Sequence, residues 1–464
     1  MAKATDLDHL VEHQLVDFNQ MKTFAKDPLI LREGSGIRVT DSRGKVYIDG
    51  ISGVFALSLG HSAAPVIEAI SAQLKRLVFA SPIMATNDRA LELIGALVEL
   101  TGGRMRYIKL LNSGSEATEA AMKMARQYQR QSGHKDRYKI VSLYQSYHGA
   151  TLGALSATGW PKLRTPYEPL APGFIRVRPP ICKHRTVGHD QVACVMNAAA
   201  ELREAIEQEG PETVAAVILE PVMLTAGVHV PPVEYLRQLR KTCDDLGVLL
   251  IFDEIVTGFG RLGSWFAAEH FDVWPDVMCV GKGISAGYAP LSAVMMTERV
   301  GRAFWGEPES NLQFQAGHTH AANPVSAAAG LATIQMLKDL KVFENVAVTG
   351  KRLATRLAAI EESNPFVGEV RGMGLLYAIE FMRDKSTGES FPDDVPTAAA
   401  VQRVARGDGL LLRASPQIAT LAPPLVTTVD EIDEIADMFE GAVSEVTETL
   451  QKTGRLAVEV GFGL

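Results

Sequence analysis

Cysteine is scarce in this 464-residue chain: there are four, Cys182, Cys194, Cys243 and Cys279, and no C-x-x-C pair. Such spacing indicates neither a zinc site nor a disulfide framework, and reduced thiols in or near a core are the plain expectation. Long apolar runs are missing as well. No stretch approaches the ~20 residues that a membrane-spanning helix needs. Residues 1–18 are broken by charges and histidines where a signal peptide would carry its apolar centre. The expectation is a cytoplasmic protein with no membrane partner. Basic residues are not in excess either. Lys and Arg number 46 against 54 Asp and Glu, a net charge of -8, with the two signs interleaved. No basic stripe is present to receive nucleic acid, so none is expected as a partner. Internal repeats and low-complexity segments are also lacking.

What is present describes an ordinary globular enzyme, 47% hydrophobic and 22% charged. At this length one core is not enough, and a large domain with a smaller one built around it is expected. Residues 37–49 (IRVTDSRGKVYID) read as a hairpin and 65–74 as a helix. From about 76 to 330, strands rich in Val, Ile and Leu alternate with helical stretches, which implies βαβ units and a mostly parallel buried sheet. A long helical stretch covers 324–337, residues 368–381 alternate like an antiparallel pair, and 430–450 read as a closing helix. The predicted division is therefore an N-terminal segment 1–75 belonging to a small domain, a large domain 76–330, and the C-terminal part of the small α+β domain, 331–464.

Three apolar strands of the large domain end in chemistry. Residues 214–219 run into Glu220-Pro221, 248–252 into Asp253-Glu254, and 277–280 into Gly281-Lys282-Gly283. Open α/β sheets place their sites at strand carboxyl ends. A lysine between glycines, facing an aspartate from the next strand, is placed to form an imine with a carbonyl cofactor. Pyridoxal 5'-phosphate needs both that lysine and an acid on its pyridine nitrogen. Glu254 takes the acid's role instead if the register slips by one residue. Upstream, a strand over 107–111 leads into Asn112-Ser113-Gly114-Ser115-Glu116-Ala117, followed by a helical stripe of Ala120, Ala121, Met124, Ala125 and Tyr128. Gly114 and Ser115 thus open a helix whose free N–H groups suit a phosphate. The plainer alternative makes Ser115 only the cap of its own helix. A further strand, 138–143, delivers Tyr147-His148-Gly149. Tyr147 either stacks on a flat cofactor or packs in the core, and for His148 the plain reading is that it only holds the loop.

These motifs, together with Asp253-Glu-Ile-Val-Thr-Gly-Phe-Gly-Arg261 and Gly317-His-Thr-His-Ala-Ala-Asn-Pro324, resemble the class III pyridoxal-phosphate aminotransferases of fold type I. The similarity runs from about residue 41 to 424 and is nearest to the omega-amino acid and amine:pyruvate members. It implies an α/β fold, with a large domain built on a mostly parallel seven-stranded sheet and a smaller α+β domain from both ends of the chain. It further implies that Lys282 forms the imine and Asp253 pairs with the pyridine nitrogen. Gly114 and Ser115 would hold the phosphate, and Tyr147 and Ile255 would cover the two ring faces. Thr319 would complete the phosphate site of a partner subunit, so a homodimer is implied. Glu220 would lie near the cofactor or an arginine, or simply cap its strand. No metal is implied.

The resemblance also bears on substrates, a small-molecule amine and a keto acid. Members acting on GABA or ornithine carry an arginine where this chain has Thr420. Here the arginine lies upstream, at Arg413, as in the amine:pyruvate and β-alanine:pyruvate members and in diaminopelargonate synthases. A guanidinium there can grip a carboxylate by two hydrogen bonds, or it can merely cap the surface. Phe55, Ile83, Met84 and Met223 are expected as apolar walls, with Tyr147 also facing substrate, and Leu224 and Thr225 add bulk. The expected activity is transfer of an amino group to a keto acid, pyruvate first, by a ping-pong cycle. Diaminopelargonate synthase and GABA- or ornithine-type chemistry are the alternatives, with an aminomutase, a racemase or a non-catalytic scaffold further off.

Overall fold

The computed structural model describes residues 7–182, 190–310 and 312–456. These fall into two compact units, one running from 64 to 341 and the other formed by the chain up to 63 and from 342 onward. The first boundary lies before the Ala64–Arg76 helix, not after it as the sequence suggests, and that helix belongs to the large unit. The second lies at Lys341/Val342 rather than at 330, because the Pro324–Asp339 helix also stays with the large unit.

Seven strands form the sheet of the large unit: β1 Tyr107–Leu111, β2 Lys139–Leu143, β3 Phe174–Val177, β4 Val214–Leu219, β5 Leu249–Asp253, β6 Val277–Val280 and β7 Ser292–Met296. Their spatial order is β1-β7-β6-β5-β4-β2-β3. From β3 to β6 all neighbours are parallel. Only β7 runs against its neighbours β6 and β1. The apolar runs have a simple cause: every residue of β4, β5, β6 and β7 is buried, and a sheet covered on both faces has no polar face to alternate with. Helix α1, Gly114–Gln131, lays Ala117, Ala120, Ala121, Met124 and Ala125 on that sheet against Ala216, Ile218, Ile251 and Cys279. Small side chains there let the helix approach closely, leaving its first turn level with the strand ends. Helix α2, Gln191–Glu209, is capped by the Asp190 side chain, which accepts from Ala193 N–H at 3.0 Å.

The smaller unit holds two sheets. One joins Leu31–Ser35, Arg38–Asp41 and Val46–Asp49 to the parallel strand Leu410–Leu411, bringing the two ends of the chain together. The other is antiparallel, in the order Val367–Met373, Leu376–Asp384, Ile418–Leu421, Arg413–Ala414. The closing helix, Val429–Thr453, begins with a capping box in which Thr428 and Glu431 satisfy each other's backbone N–H. Among the described residues, no helix is long and apolar enough to cross a membrane, and no group of three or more His, Cys, Asp or Glu is placed to hold a metal ion.

Candidate active site

The parallel strands β4, β5 and β6 end side by side. Leu219 pairs with Phe252 and Asp253 with Cys279, so Glu220, Asp253 and Lys282 leave the same edge of the sheet from neighbouring strands. Asp253 is the last residue of β5 rather than the first beyond it, and its side chain is only 6% exposed. One carboxylate oxygen, Oδ2, lies 2.8 Å from His148 Nδ1, and the other, Oδ1, accepts from the Ile255 N–H at 3.2 Å. A carboxylate can only accept, so His148 donates through Nδ1, and that fixes its tautomer. His148 is itself clamped. Its N–H donates to Thr158 Oγ1 at 3.0 Å and its carbonyl accepts from Thr118 Oγ1 at 2.6 Å. Its Nε2 is buried and has no hydrogen-bond partner among the described residues. The histidine therefore aims an otherwise unpaired ring at Asp253, beyond anything needed to hold the loop. The Tyr-His-Gly motif past a strand end is the signal for it in the sequence; Thr118 and Thr158 leave none.

The alternative acid, Glu254, is engaged elsewhere. It is fully buried, accepting from the N–H groups of Ala267 at 2.6 Å and Ala268 at 2.7 Å and from Thr257 Oγ1 at 2.8 Å. Burial pushes its pKa up to about 7. It orders the turn after β5, and Asp253 is the acid left at the sheet edge. Glu220 bridges two loops: Oε1 accepts from Tyr147 N–H at 2.9 Å and Oε2 from Leu224 N–H at 3.1 Å. Burial raises its pKa to about 7, His148 opposes the shift and Asp253 adds to it.

Lys282 follows Gly281 and has φ +42°, a left-handed conformation that costs a non-glycine residue ~1–2 kcal/mol. Strain of this kind collects where the surroundings fix a residue for a task. Lys282 is half-buried, three positions past the residue that pairs with Asp253.

The cap of α1 is Ser113, not Ser115: the Ser113 side chain accepts from Glu116 N–H at 3.2 Å. Ser115 is thereby released from capping, and its Oγ accepts from Ala150 N–H at 3.0 Å, leaving its O–H to donate. Gly114 brings its backbone close to Ile255: a Cβ there would stand 2.8 Å from Ile255 Cδ1, so that side chain would have to shift. Gly149, at φ +135°, is needed, since a Cβ would lie 2.5 Å from Ser115 Oγ. Helix start, hydroxyl and two bare glycine backbones supply donors of the kind a phosphate takes, close to the buried Ile255 and the half-buried Tyr147. The residues present thus fit pyridoxal phosphate: an acceptor, an amine, an anion seat and two apolar flanks. Thr319 is exposed.

In the smaller unit, Arg413 sits directly opposite Thr420 in the antiparallel sheet. Its guanidinium lies over the Phe55 ring, 5.8 Å from the centroid, and Phe55 is buried with φ +65°. Of the expected apolar walls, Ile83 and Met84 stand 84% and 88% exposed in the protomer, in the connection between two helices. Met223 is completely buried, and its backbone forms a bridge with His229. The four cysteines are free thiols: Cys243 and Cys279 are buried, and Cys182 and Cys194 are half-buried.

The family model described as Aminotransferase class-III matches residues 21–443. Among curated proteins, adenosylmethionine-8-amino-7-oxononanoate aminotransferase of Anoxybacillus flavithermus is 35% identical over 93% of this chain and 94% of its own. Taurine--pyruvate aminotransferase of Bilophila wadsworthia is 34% identical, with 95% of each chain covered. Among solved structures, an (S)-enantioselective omega-transaminase from Thermomicrobium roseum superposes with a TM-score of 0.92 at 34% identity, covering 96% of this chain and 99% of that one.

Proposed function

Since this chain belongs to the class III aminotransferases, enzymes that depend on pyridoxal phosphate, we propose that it passes an amino group from an amine or omega-amino acid to a keto acid, pyruvate first, in a ping-pong cycle. When bound, the cofactor supplies a carbonyl for the incoming nitrogen and a ring that accepts the electron pair freed at the substrate carbon. The chain's own residues do the rest. Lys282 would hold the cofactor through its amine and would serve as the base that takes the proton from the substrate carbon. Asp253, oriented by His148 and the Ile255 N–H, keeps a proton on the ring nitrogen. The Gly114 and Ser115 N–H groups and the Ser115 hydroxyl hold the phosphate, and Tyr147 and Ile255 enclose the ring. Glu220 ties the Tyr147 loop to the segment after β4, beside the cofactor.

The observation that carries the choice of acceptor is Arg413 facing Thr420 across one strand pair. The position used by GABA- and ornithine-type members holds a threonine, and the guanidinium is displaced to the neighbouring strand, over the Phe55 ring. There it is suited to the carboxylate of a small keto acid. The relatives named as a taurine–pyruvate aminotransferase and an omega-transaminase support this reading. A half-reaction screen tests it. The yellow protein is mixed with single amines, loss of the imine band is followed, and the band is then restored with pyruvate or 2-oxoglutarate. Discharge by simple primary amines and faster recovery with pyruvate are expected. Discharge by adenosylmethionine alone would replace this reading with that of the diaminopelargonate enzymes, and product formed without pyruvate consumption would replace it with a mutase or racemase.

The working form is inferred to be a cytoplasmic homodimer. In one protomer Val78, Phe79, Ile83 and Met84 are 55%, 43%, 84% and 88% exposed within seven positions, a run of bare apolar side chains of the kind that marks an interaction surface. A second copy covers them and brings Thr319 to its neighbour's phosphate. Light scattering on the purified protein should give twice the 50.2 kDa chain mass.

A further inference from the structure

We propose that Asp49 and Ser52 are positioning residues for the keto acid: they clamp the turn that carries Phe55 and so hold its ring against the Arg413 guanidinium, an assignment that rests on the acceptor role proposed for Arg413. Arg413 lies over the Phe55 ring at 5.8 Å, within the ~6 Å reach of a cation–π contact. Backbone preference alone does not bring Phe55 there. Phe55 is buried with φ +65°, Ser52 has φ +53° and Gly53 φ +66°, so the turn passes through left-handed conformations at two residues that are not glycine. Residues with a Cβ leave such conformations unless their surroundings hold them, and strain of this kind gathers at ligand clamps.

The ties that hold this turn are specific. Asp49 ends the strand Val46–Asp49 and is 1% exposed. Its Oδ1 accepts from Ile51 N–H at 3.2 Å and its Oδ2 from Gly53 N–H at 2.7 Å, so both oxygens hold the backbone of the turn. A carboxylate binds such donors about twice as strongly as a neutral acceptor does, which suits a turn that resists its own backbone. Ser52 is fully buried, and its Oγ donates to Ala422 O at 2.7 Å, while Ala422 N–H donates to Gly50 O at 2.8 Å. The turn also meets the chain ahead of Arg413. Asp49 pairs with Leu411, and Gly50 comes so close that a Cβ there would stand 2.8 Å from Leu411 O. Leu411 leads into Arg413, and Ala422 follows Thr420 and Leu421. The turn is thus fastened to both arms of the Arg413–Thr420 pair, and the place of the ring relative to the guanidinium is set by Asp49 and Ser52.

The test sets Asp49→Asn and Ser52→Ala beside Arg413→Ala in the holoenzyme. Discharge is followed with the fastest simple amine that has no carboxylate, and recovery of the imine band is followed against pyruvate concentration. Arg413→Ala gives the reference rise in half-saturating pyruvate. Asp49→Asn, which keeps one acceptor, should raise it about 5–20-fold and Ser52→Ala about 2–5-fold, while amine discharge and the imine absorbance stay within about twofold of the unmodified enzyme. Placed in Arg413→Ala, Asp49→Asn should add less than about twofold, because the ring then has no guanidinium to steady. An unchanged pyruvate response in Asp49→Asn and Ser52→Ala, with Arg413→Ala impaired, would overturn the positioning role alone. So would equal damage to both half-reactions, or a full further rise in the double variant, the marks of a clamp that serves only the fold. An unimpaired Arg413→Ala would remove the acceptor role of Arg413 and the positioning role with it. Should Asp49→Asn fail to take up cofactor, Ser52→Ala carries the same comparison by itself.

Discussion

The edge of the large sheet and the strand that carries Arg413 are built on opposite terms. Asp253 is 6% exposed and His148 1%, both Asp253 oxygens have donors, and the strand behind them is buried at every residue. Arg413 is half-buried on a strand of two residues, steadied by an aromatic face. The first region is over-determined, and in the proposed reaction it serves the chemistry that every substrate shares. In the second, Arg413 stands opposite Thr420 on a short strand pair, and the proposed reaction assigns it the choice of substrate. Common chemistry and substrate choice are thus assigned to two regions that differ in burial.

Mutations can break that separation. The largest effect is expected from Lys282→Ala, which should cut turnover more than about 10^4-fold for every amine and erase the absorbance near the visible edge. An active variant with a normal band would remove the assignment. Asp253→Asn should follow, with a loss of about 10^2–10^4-fold in kcat, again independent of donor and acceptor. Arg413→Ala should be milder and selective. Losing a charge-assisted pair of about 1.5–3 kcal/mol should raise the pyruvate KM about 10–100-fold. Discharge by an amine without a carboxylate should be unaffected, and equal damage to both half-reactions would mean that Arg413 supports the fold rather than choosing a substrate.

The smallest effect sharpens the buried side of the comparison. Glu220 has its pKa raised to about 7 by burial, from an ordinary 4.5. The folded cofactor-free protein therefore holds a proton there that the unfolded chain has already released. The sign follows from proton linkage: this contribution to stability is full below about pH 4.5 and declines as pH rises through about 7. Glu220→Gln should flatten that part of the Tm-versus-pH curve by a degree or two, measured by differential scanning fluorimetry. An unchanged slope would show that Glu220 is ionised throughout.

Local pattern was enough for the elements and for which ends carry chemistry. Continuous Val, Ile and Leu runs can be buried on both faces only in a covered parallel sheet, so β4, β5 and β6 were readable, with Glu220, Asp253 and Lys282 at or just past their carboxyl ends. The Ala stripe of α1 and the closing helix were readable for the same reason, because period and composition are properties of a short window. Choices between neighbours were not. Ser113 or Ser115 as cap, and Asp253 or Glu254 as the free acid, depend on which N–H groups arrive from elsewhere, such as those of Ala150, Ala267 and Ala268.

The sequence by itself determined the layered α/β architecture and the family's reactive lysine and acid, because periodicity and residue chemistry act over a few positions. Only the tertiary structure decided that His148 faces Asp253, and that Ile83 and Met84 stand out while Met223 is sealed in. Those outcomes depend on distances between segments far apart in the chain, which packing of the whole core sets and no local pattern encodes.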